Sequence, residues 1–313
     1  MAFNRLDFMR VVACQLRANA GKNLFYEKED GSLLLGPAEE TVKLLNSDKR
    51  RQLAAFLRSA AEDGSLSVLV RDLSDAIIRR YLSVNQFLSF TAEDRLRLEE
   101  LYGRFAEHVR RCAESANGDS GPIEALLARH YRRLKEFLLQ TNGAEIFRRY
   151  AGRPELPPVV CSEYTPRFQL EVLGIALTDL RAPVLDLGCG PQAGLVRYLR
   201  ANGIEAFGID RNAEQPDFCV RSAGWFDLSL EPGAWGTIIS HMAFTNHFVH
   251  HHYRRDGNAE GYARKYMEIL HALKPGGAFV YAPRLPFIEA IIERTHVSFR
   301  VRSGSHGTVV TRV

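Results

Sequence analysis

The run Pro183-Val-Leu-Asp-Leu-Gly-Cys-Gly-Pro191, with Gly208-Ile-Asp210 ending twenty residues past Gly190, constrains this chain most. Val184 to Leu187 read as a short buried strand, and Gly188 and Gly190 as the sharp turn that follows it. Residues 193–201 form a helix, and 205–209 form a second strand that ends in an acid. This is the layout of a nucleotide-binding β-α-β unit. Glycine at the turn lets the backbone approach a ligand where a Cβ would clash. Asp210, at the carboxyl end of the second strand, is placed to accept hydrogen bonds from two ribose hydroxyls.

The turn does not fit a dinucleotide. That fingerprint is G-x-G-x-x-G, which seats a pyrophosphate on a helix N-terminus. Here the next glycine, Gly194, comes one position too late. Asp186, two residues before Gly188, would repel a pyrophosphate but suits a ligand carrying an ammonium or sulfonium group.

The pattern D-x-G-x-G, then G-x-D, then Leu273-Lys-Pro-Gly-Gly-Ala-Phe-Val-Tyr281 resembles the class I S-adenosylmethionine-dependent methyltransferases. The resemblance covers roughly residues 160–313 and does not reach the first half of the chain. It implies a Rossmann-like α/β fold with a seven-stranded, mostly parallel sheet closed by a reversed hairpin. S-adenosylmethionine would be the cofactor and S-adenosylhomocysteine the product. Gly188 and Gly190 would lie beneath its methionine and ribose portions, Asp186 near its amino group, and Asp210 and Arg211 beside the ribose. Phe226 and Asp227 would meet the adenine, with Trp225 as an alternative wall. Tyr164 and Arg167, in the lead-in before the first strand, would meet the methionine carboxylate. Gln192 stands where many family members have a third glycine. The asparagine-proline-proline-tyrosine tetrad of many amide methylases is absent, and Ser240-His-Met-Ala stands in its place.

Half of the ten histidines fall within Ser240 to His252, after the fourth strand. Three readings stay open. His241 or His247 acts as general base, since an imidazole titrates near neutrality, with His241 also against the cofactor and Asn246, His250 and Arg284 contacting the acceptor. Alternatively His247, His250 and His251 share a helix face and bind a metal, although no carboxylate or cysteine completes a set, so no metal is assigned. The third reading is a His-rich surface loop.

At 313 residues the chain has room for two domains. We place a mainly helical cap or substrate-selection domain at 1–158 and the cofactor-binding domain at 159–313, joined by a linker over Gly152 to Pro158. Helices are expected over 47–61, 65–82, 91–116 and from Gly121 onward. Thr91 to Asp94 reads as a capping box, and 24–35 as a hairpin turning at Asp30-Gly31. Beyond the linker, a helix over 165–177 precedes strands over 183–187, 205–209, 217–221, 236–241 and 277–282. Helices are expected over 193–201, 259–272 and 286–294, and closing strands over 296–302 and 308–312.

Positive charge is interleaved with negative: 25 Lys and Arg stand against 22 Asp and Glu in residues 1–158, and 16 against 15 in the rest. A nucleic-acid surface segregates its cations, so a small-molecule acceptor is favoured over RNA, with a homodimer left open. No apolar run reaches the roughly 20 residues that span a bilayer. Scattered, odd-numbered cysteines and the absence of a signal-like start point to the cytoplasm. The expected activity is methyl transfer to oxygen, nitrogen or sulfur of a small molecule. The alternatives are RNA methylation, transfer of an aminocarboxypropyl or aminopropyl group, and a non-catalytic binding protein.

Overall fold

The computed structural model describes residues 3–115, 121–148, 150, 152–156, 164–295 and 297–313. Two compact units divide the chain, Met1–Val160 and Cys161–Val313. Parts of the expected linker and of the lead-in segment, residues 157–163, and most of the loop over 117–121, lie outside the described residues.

The first unit is helical: α1 (Arg5–Ala18), α2 (Glu39–Leu45), α3 (Lys49–Glu62), α4 (Ser65–Val84), α5 (Ala92–Ser115), α6 (Gly121–Asn142) and the single turn α7 (Glu145–Arg148). Helix α5 opens on the expected capping box. The Asp94 amide donates to Thr91 Oγ1 (3.1 Å), and the Thr91 amide donates to Asp94 Oδ2 (2.9 Å). Helix α1 starts on a box of the same logic built from Asn4 and Asp7. The Gln15 side chain then fixes the segment after it, bonding Gly36 O, the Ala38 amide and Thr41 Oγ1. The hairpin expected over 24–35 is corrected. Its turn exists, with Gly31 at φ +74° and the Ser32 amide donating to Asp30. Pairing, however, goes no further than a single bridge, Glu27 with Leu33. Asn23, fully buried, instead ties this stretch to the backbone carbonyls of Tyr150 and Arg153.

The second unit is a seven-stranded sheet with helices: α8 (Pro166–Leu173), β1 (Val184–Leu187), α9 (Gly194–Ala201), β2 (Ala206–Asp210), β3 (Val220–Ser222), β4 (Trp235–His241), α10 (Phe244–His252), α11 (Ala259–His271), β5 (Leu273–Ala282), α12 (Pro286–Thr295), β6 (Phe299–Ser303) and β7 (Thr308–Arg312). The strand order is β3-β2-β1-β4-β5-β7-β6. All neighbours are parallel except those of β7, which runs against both β5 and β6. This is the Rossmann-like, mostly parallel sheet with one reversed strand that the motifs imply.

Three expectations shift. The helix over 165–177 ends at Leu173, because Gly174 turns left-handed at φ +67°. Strand β3 begins three residues late, because the Asp217 carboxylate takes the amides of Cys219 and Val220 and makes a turn of that stretch. The Leu-Lys-Pro-Gly-Gly turn is absorbed into β5 as a bulge: Leu273 pairs with Trp235 and Ala278 already with Thr237.

Parallel strands covered on both faces are apolar throughout, and β1 is buried at every position. Its one polar member is Asp186. Chain order reverses between β1 and β4, whose neighbours lie on opposite sides. In an open α/β sheet the crevice at such a switch point, beyond the carboxyl ends of the strands, is where ligands bind.

Candidate active site at the sheet switch point

Gly188 leaves β1 at φ +87°, and a Cβ built there would lie 2.2 Å from Cβ of Ala243, the residue before α10. Only glycine lets the β1 and β4 loops meet this closely. Gly190, at φ +77°, donates its amide to Asp210 Oδ2 (3.0 Å), while Asp210 Oδ1 takes the Asn212 amide (2.7 Å). A carboxylate has about four acceptor sites. Two are spent on holding the loops, and two remain for a pair of hydroxyls.

Asp186 is 2% exposed, and its Oδ2 has no hydrogen-bond partner among the described residues. Burial, helped by the nearby charge of Asp210, pushes its carboxyl up to about 7. A buried acceptor without a donor is costly, and an ammonium group delivered to it would supply both donor and countercharge. The donor set therefore fits the amino-acid portion of an adenosyl sulfonium, with Asp210 suited to its sugar. Cys189, inside the turn, is buried, and burial raises its thiol pKa far above neutrality, with the two aspartates adding to the shift. It packs where a Cβ on Gly208 would fall, which makes it filler rather than a nucleophile.

Beyond β3, Asp227 Oδ2 accepts the Gly224 amide (3.1 Å), and Phe226 is 42% exposed, edge-on to Tyr262. Trp225 is half-buried and stands edge-on to His247 with ring centres 4.8 Å apart. Phe226 is thus an open apolar face, while Trp225 belongs to the packed side.

His241 ends β4. It is 8% exposed and meets edge-on the stacked rings of Tyr164 (5.2 Å, 86°) and Phe168 (6.4 Å, 86°), with Nε2 unpartnered. Burial lowers its pKa, so the ring is neutral at pH 7. Met242 follows at φ +53°, a conformation an unbranched L-residue holds only under constraint. Its amide is fastened to Ala282 O at 2.7 Å.

The other histidines of the segment have different partners, although the rings of His250 and His251 meet edge-on at 5.5 Å. Residues 244–252 are helical, yet His247, His250 and His251 are engaged with different neighbours. His247 is buried against Trp225, and burial, reinforced by Arg211, His251 and His250, holds it well below its usual pKa. His251 stacks on Tyr262 and accepts the Asn258 amide through Nδ1, and burial holds it at about 4. His250 lies 3.3 Å from Arg254, and His252 stacks on Phe287 at 3.8 Å. Among the described residues, no group of three or more His, Cys, Asp or Glu is arranged to hold a metal.

Asn246 and Arg211 are half-buried, and Arg167 is exposed in the first turn of α8. Arg284 is turned to Glu289 (3.5 Å) and Gly304 O (3.4 Å). Glu289 is a buried hub that also takes the Leu285 amide and the hydroxyls of Tyr281, Ser303 and Thr308. Phe168 and Ala243 were missed by sequence reasoning. Phe168, in the first turn of α8, stacks at 5.2 Å on Tyr164, which precedes the helix N-cap Thr165. Nothing local marks Ala243.

No protein-family model matches the chain. No curated protein matches it. Solved structures do. One is a SAM-dependent methyltransferase from Methanosarcina mazei, 14% identical, with a TM-score of 0.30 over 41% of this chain and 91% of that one. A second is the 1,6-didemethyltoxoflavin-N1-methyltransferase of Burkholderia thailandensis with S-adenosylhomocysteine bound, 16% identical, TM-score 0.29, over 47% and 75%. A third is the T. thermophilus 16S rRNA N2 G1207 methyltransferase, 13% identical, TM-score 0.29, over 45% and 37%. These neighbours are S-adenosylmethionine-dependent methyltransferases.

Proposed function

We propose that the second unit binds S-adenosylmethionine at the β1/β4 switch point and transfers its methyl group to a small-molecule acceptor. The observation that carries this reading is the trio at the strand ends. Asp186 is a buried carboxylate without a donor, Gly188 is a turn with no room for a Cβ, and Asp210 has two acceptor sites left over. When bound, the sulfonium supplies an already activated methyl group.

The protein's own part is therefore to position and to exclude water. Asp186 would hold the ammonium, Gly188 and Gly190 the backbone-facing edge, Asp210 with Arg211 the ribose, and Phe226 and Asp227 the adenine. His241 is the group suited to take the acceptor's proton. It is neutral, has a nitrogen to spare, and stands edge-on to the stacked aromatic rings of Tyr164 and Phe168, which suit a flat apolar acceptor. His247 is packed as a core residue and Arg284 as a brace for Glu289, so neither is assigned the reaction.

Calorimetry with S-adenosylhomocysteine tests the cofactor site. We expect binding, weakened roughly ten- to several-hundredfold in Asp210→Ala, since charge-assisted hydrogen bonds are worth about 1.5–3 kcal/mol each. Unchanged affinity would remove Asp210 from the site. Turnover then separates chemistries. S-adenosylhomocysteine as product supports methyl transfer, whereas methylthioadenosine would mean transfer of another part of the cofactor.

A further inference from the structure

The helical unit is hollow. A cavity of about 240 Å³ runs through its core between α1, α3, α4, α5 and α6. Interiors normally pack with few voids larger than a water molecule, and the cost of a void rises with its volume. An engineered apolar cavity of about 150 Å³ stays dry and takes up benzene, so this larger one has room for a longer hydrocarbon.

One part of the wall is polar, and most of what it offers is donors, the neutral ring of His130 beside Tyr102 adding one acceptor. The hydroxyls of Tyr81 and Tyr102 make no hydrogen bond among the described residues. That of Tyr131 accepts from Gln15 Nε2 and Asn19 Nδ2, which leaves its own O–H to give. Arg80 donates to the carbonyls of Leu16 and Asn19, and no carboxylate pairs with it among the described residues. All four side chains line the cavity. Their groups lie close enough for the Arg80 charge to act on each of the three phenols. Burial raises the pKa of every one of these tyrosines, Tyr131 to about 12, so they remain protonated donors. Buried donors are almost always satisfied. Phenol O–H groups and a guanidinium together call for an acceptor, and the cation among them selects an anionic one.

We propose that the helical unit binds a small apolar monocarboxylate within its core, with its hydrocarbon part in the cavity and its acid end among Arg80, Tyr81, Tyr102 and Tyr131. This site is separate from the one at the sheet switch point and stands whether or not that one transfers methyl groups.

Decanoate and decan-1-ol, titrated calorimetrically into the full chain below their aggregation concentrations, test it. One decanoate should bind per chain and raise the melting temperature, with the alcohol at least tenfold weaker. Arg80→Gln and Tyr102→Phe should erase most of that preference. Ala106→Leu, which places a larger side chain in the cavity wall, should weaken both ligands at least tenfold, and S-adenosylhomocysteine binding should be unchanged in all three variants. Absence of decanoate binding, stoichiometry well above one, or affinity indifferent to Ala106→Leu would overturn the site. Equal affinity for acid and alcohol would overturn the assignment of its polar end. If Arg80→Gln does not fold, the comparison of the two ligands on the unaltered protein decides that point by itself.

Discussion

In residues 161–313 a buried carboxylate at the end of a parallel strand has an oxygen with no donor among the described residues. In residues 1–160 a set of phenol hydroxyls lines a cavity in a helical core. The two regions therefore call for opposite chemistry: Asp186 lacks a donor, whereas Tyr81, Tyr102 and Tyr131 have donors left over. Their architectures explain where these groups arise. A parallel sheet gathers its strand ends and loops on one side, so unpaired polar atoms collect where the chain order reverses. A helical bundle has no such rim, and space for a ligand comes only from side chains that fail to fill the interior.

The contrast can be broken by substitutions that strike one region and spare the other. Gly188→Ala should have the largest effect. Its Cβ would overlap that of Ala243 at a backbone angle alanine resists, and we expect at least a hundredfold loss of S-adenosylhomocysteine affinity. Decanoate binding in the helical unit, read in the same calorimeter, should not change.

Asp186→Asn comes next, with a ten- to hundredfold loss of cofactor affinity and a distinctive pH signature. The folded carboxyl titrates at about 7, above the unfolded value of about 3.9. Between those values the folded state holds a proton that the unfolded state has released, so raising the pH costs stability. Without ligand, the melting temperature of the unaltered protein should fall relative to that of Asp186→Asn from pH 4.5 to 7.5. Parallel curves would show that Asp186 titrates normally.

His241→Ala should lower kcat at least tenfold with cofactor affinity unchanged. Because burial lowers the pKa of His241, the acid limb of the kcat profile should lie below pH 6.5. An acid limb at or above pH 6.5, or full activity in the variant, would exclude it as the base. The smallest effect is expected from Asp94→Ala, which removes half of the α5 capping box. It should cost about 1 kcal/mol of stability, measured by denaturant unfolding, with both ligands bound as before.

How much was legible followed the range of the interactions. The β1-turn-α9-β2 stretch could be read because its determinants are local: an apolar run, two glycines and an acid at fixed spacing. The Thr91–Asp94 box was legible for the same reason. Helix α1 uses the same device with asparagine and aspartate, a less familiar pair, and was overlooked. The hairpin over 24–35 failed because its turn chemistry was sound while Asn23 committed the preceding backbone to Tyr150 and Arg153, more than a hundred residues away. In the histidine segment a helix was one reading beside a surface loop, and its bounds could not be read. Which ring stacks on Trp225, Tyr262 or Phe287 could not be read either, since those partners come from other elements. The hollow in the helical unit left no trace in sequence, because each lining position obeys its own apolar pattern and only the assembled bundle leaves room.

The placement of β7 carries a kinetic consequence. It lies between β5 and β6 although it follows both in the chain, so β6 has no neighbour to dock on until β7 has been inserted. During synthesis β5 therefore presents a bare edge while residues 283–307 emerge, and α12, with Glu289 already able to grip the Leu285 amide and Tyr281, is the element available to shield it. Weakening that grip should show up as aggregation of nascent chains before it shows up as instability of the finished protein.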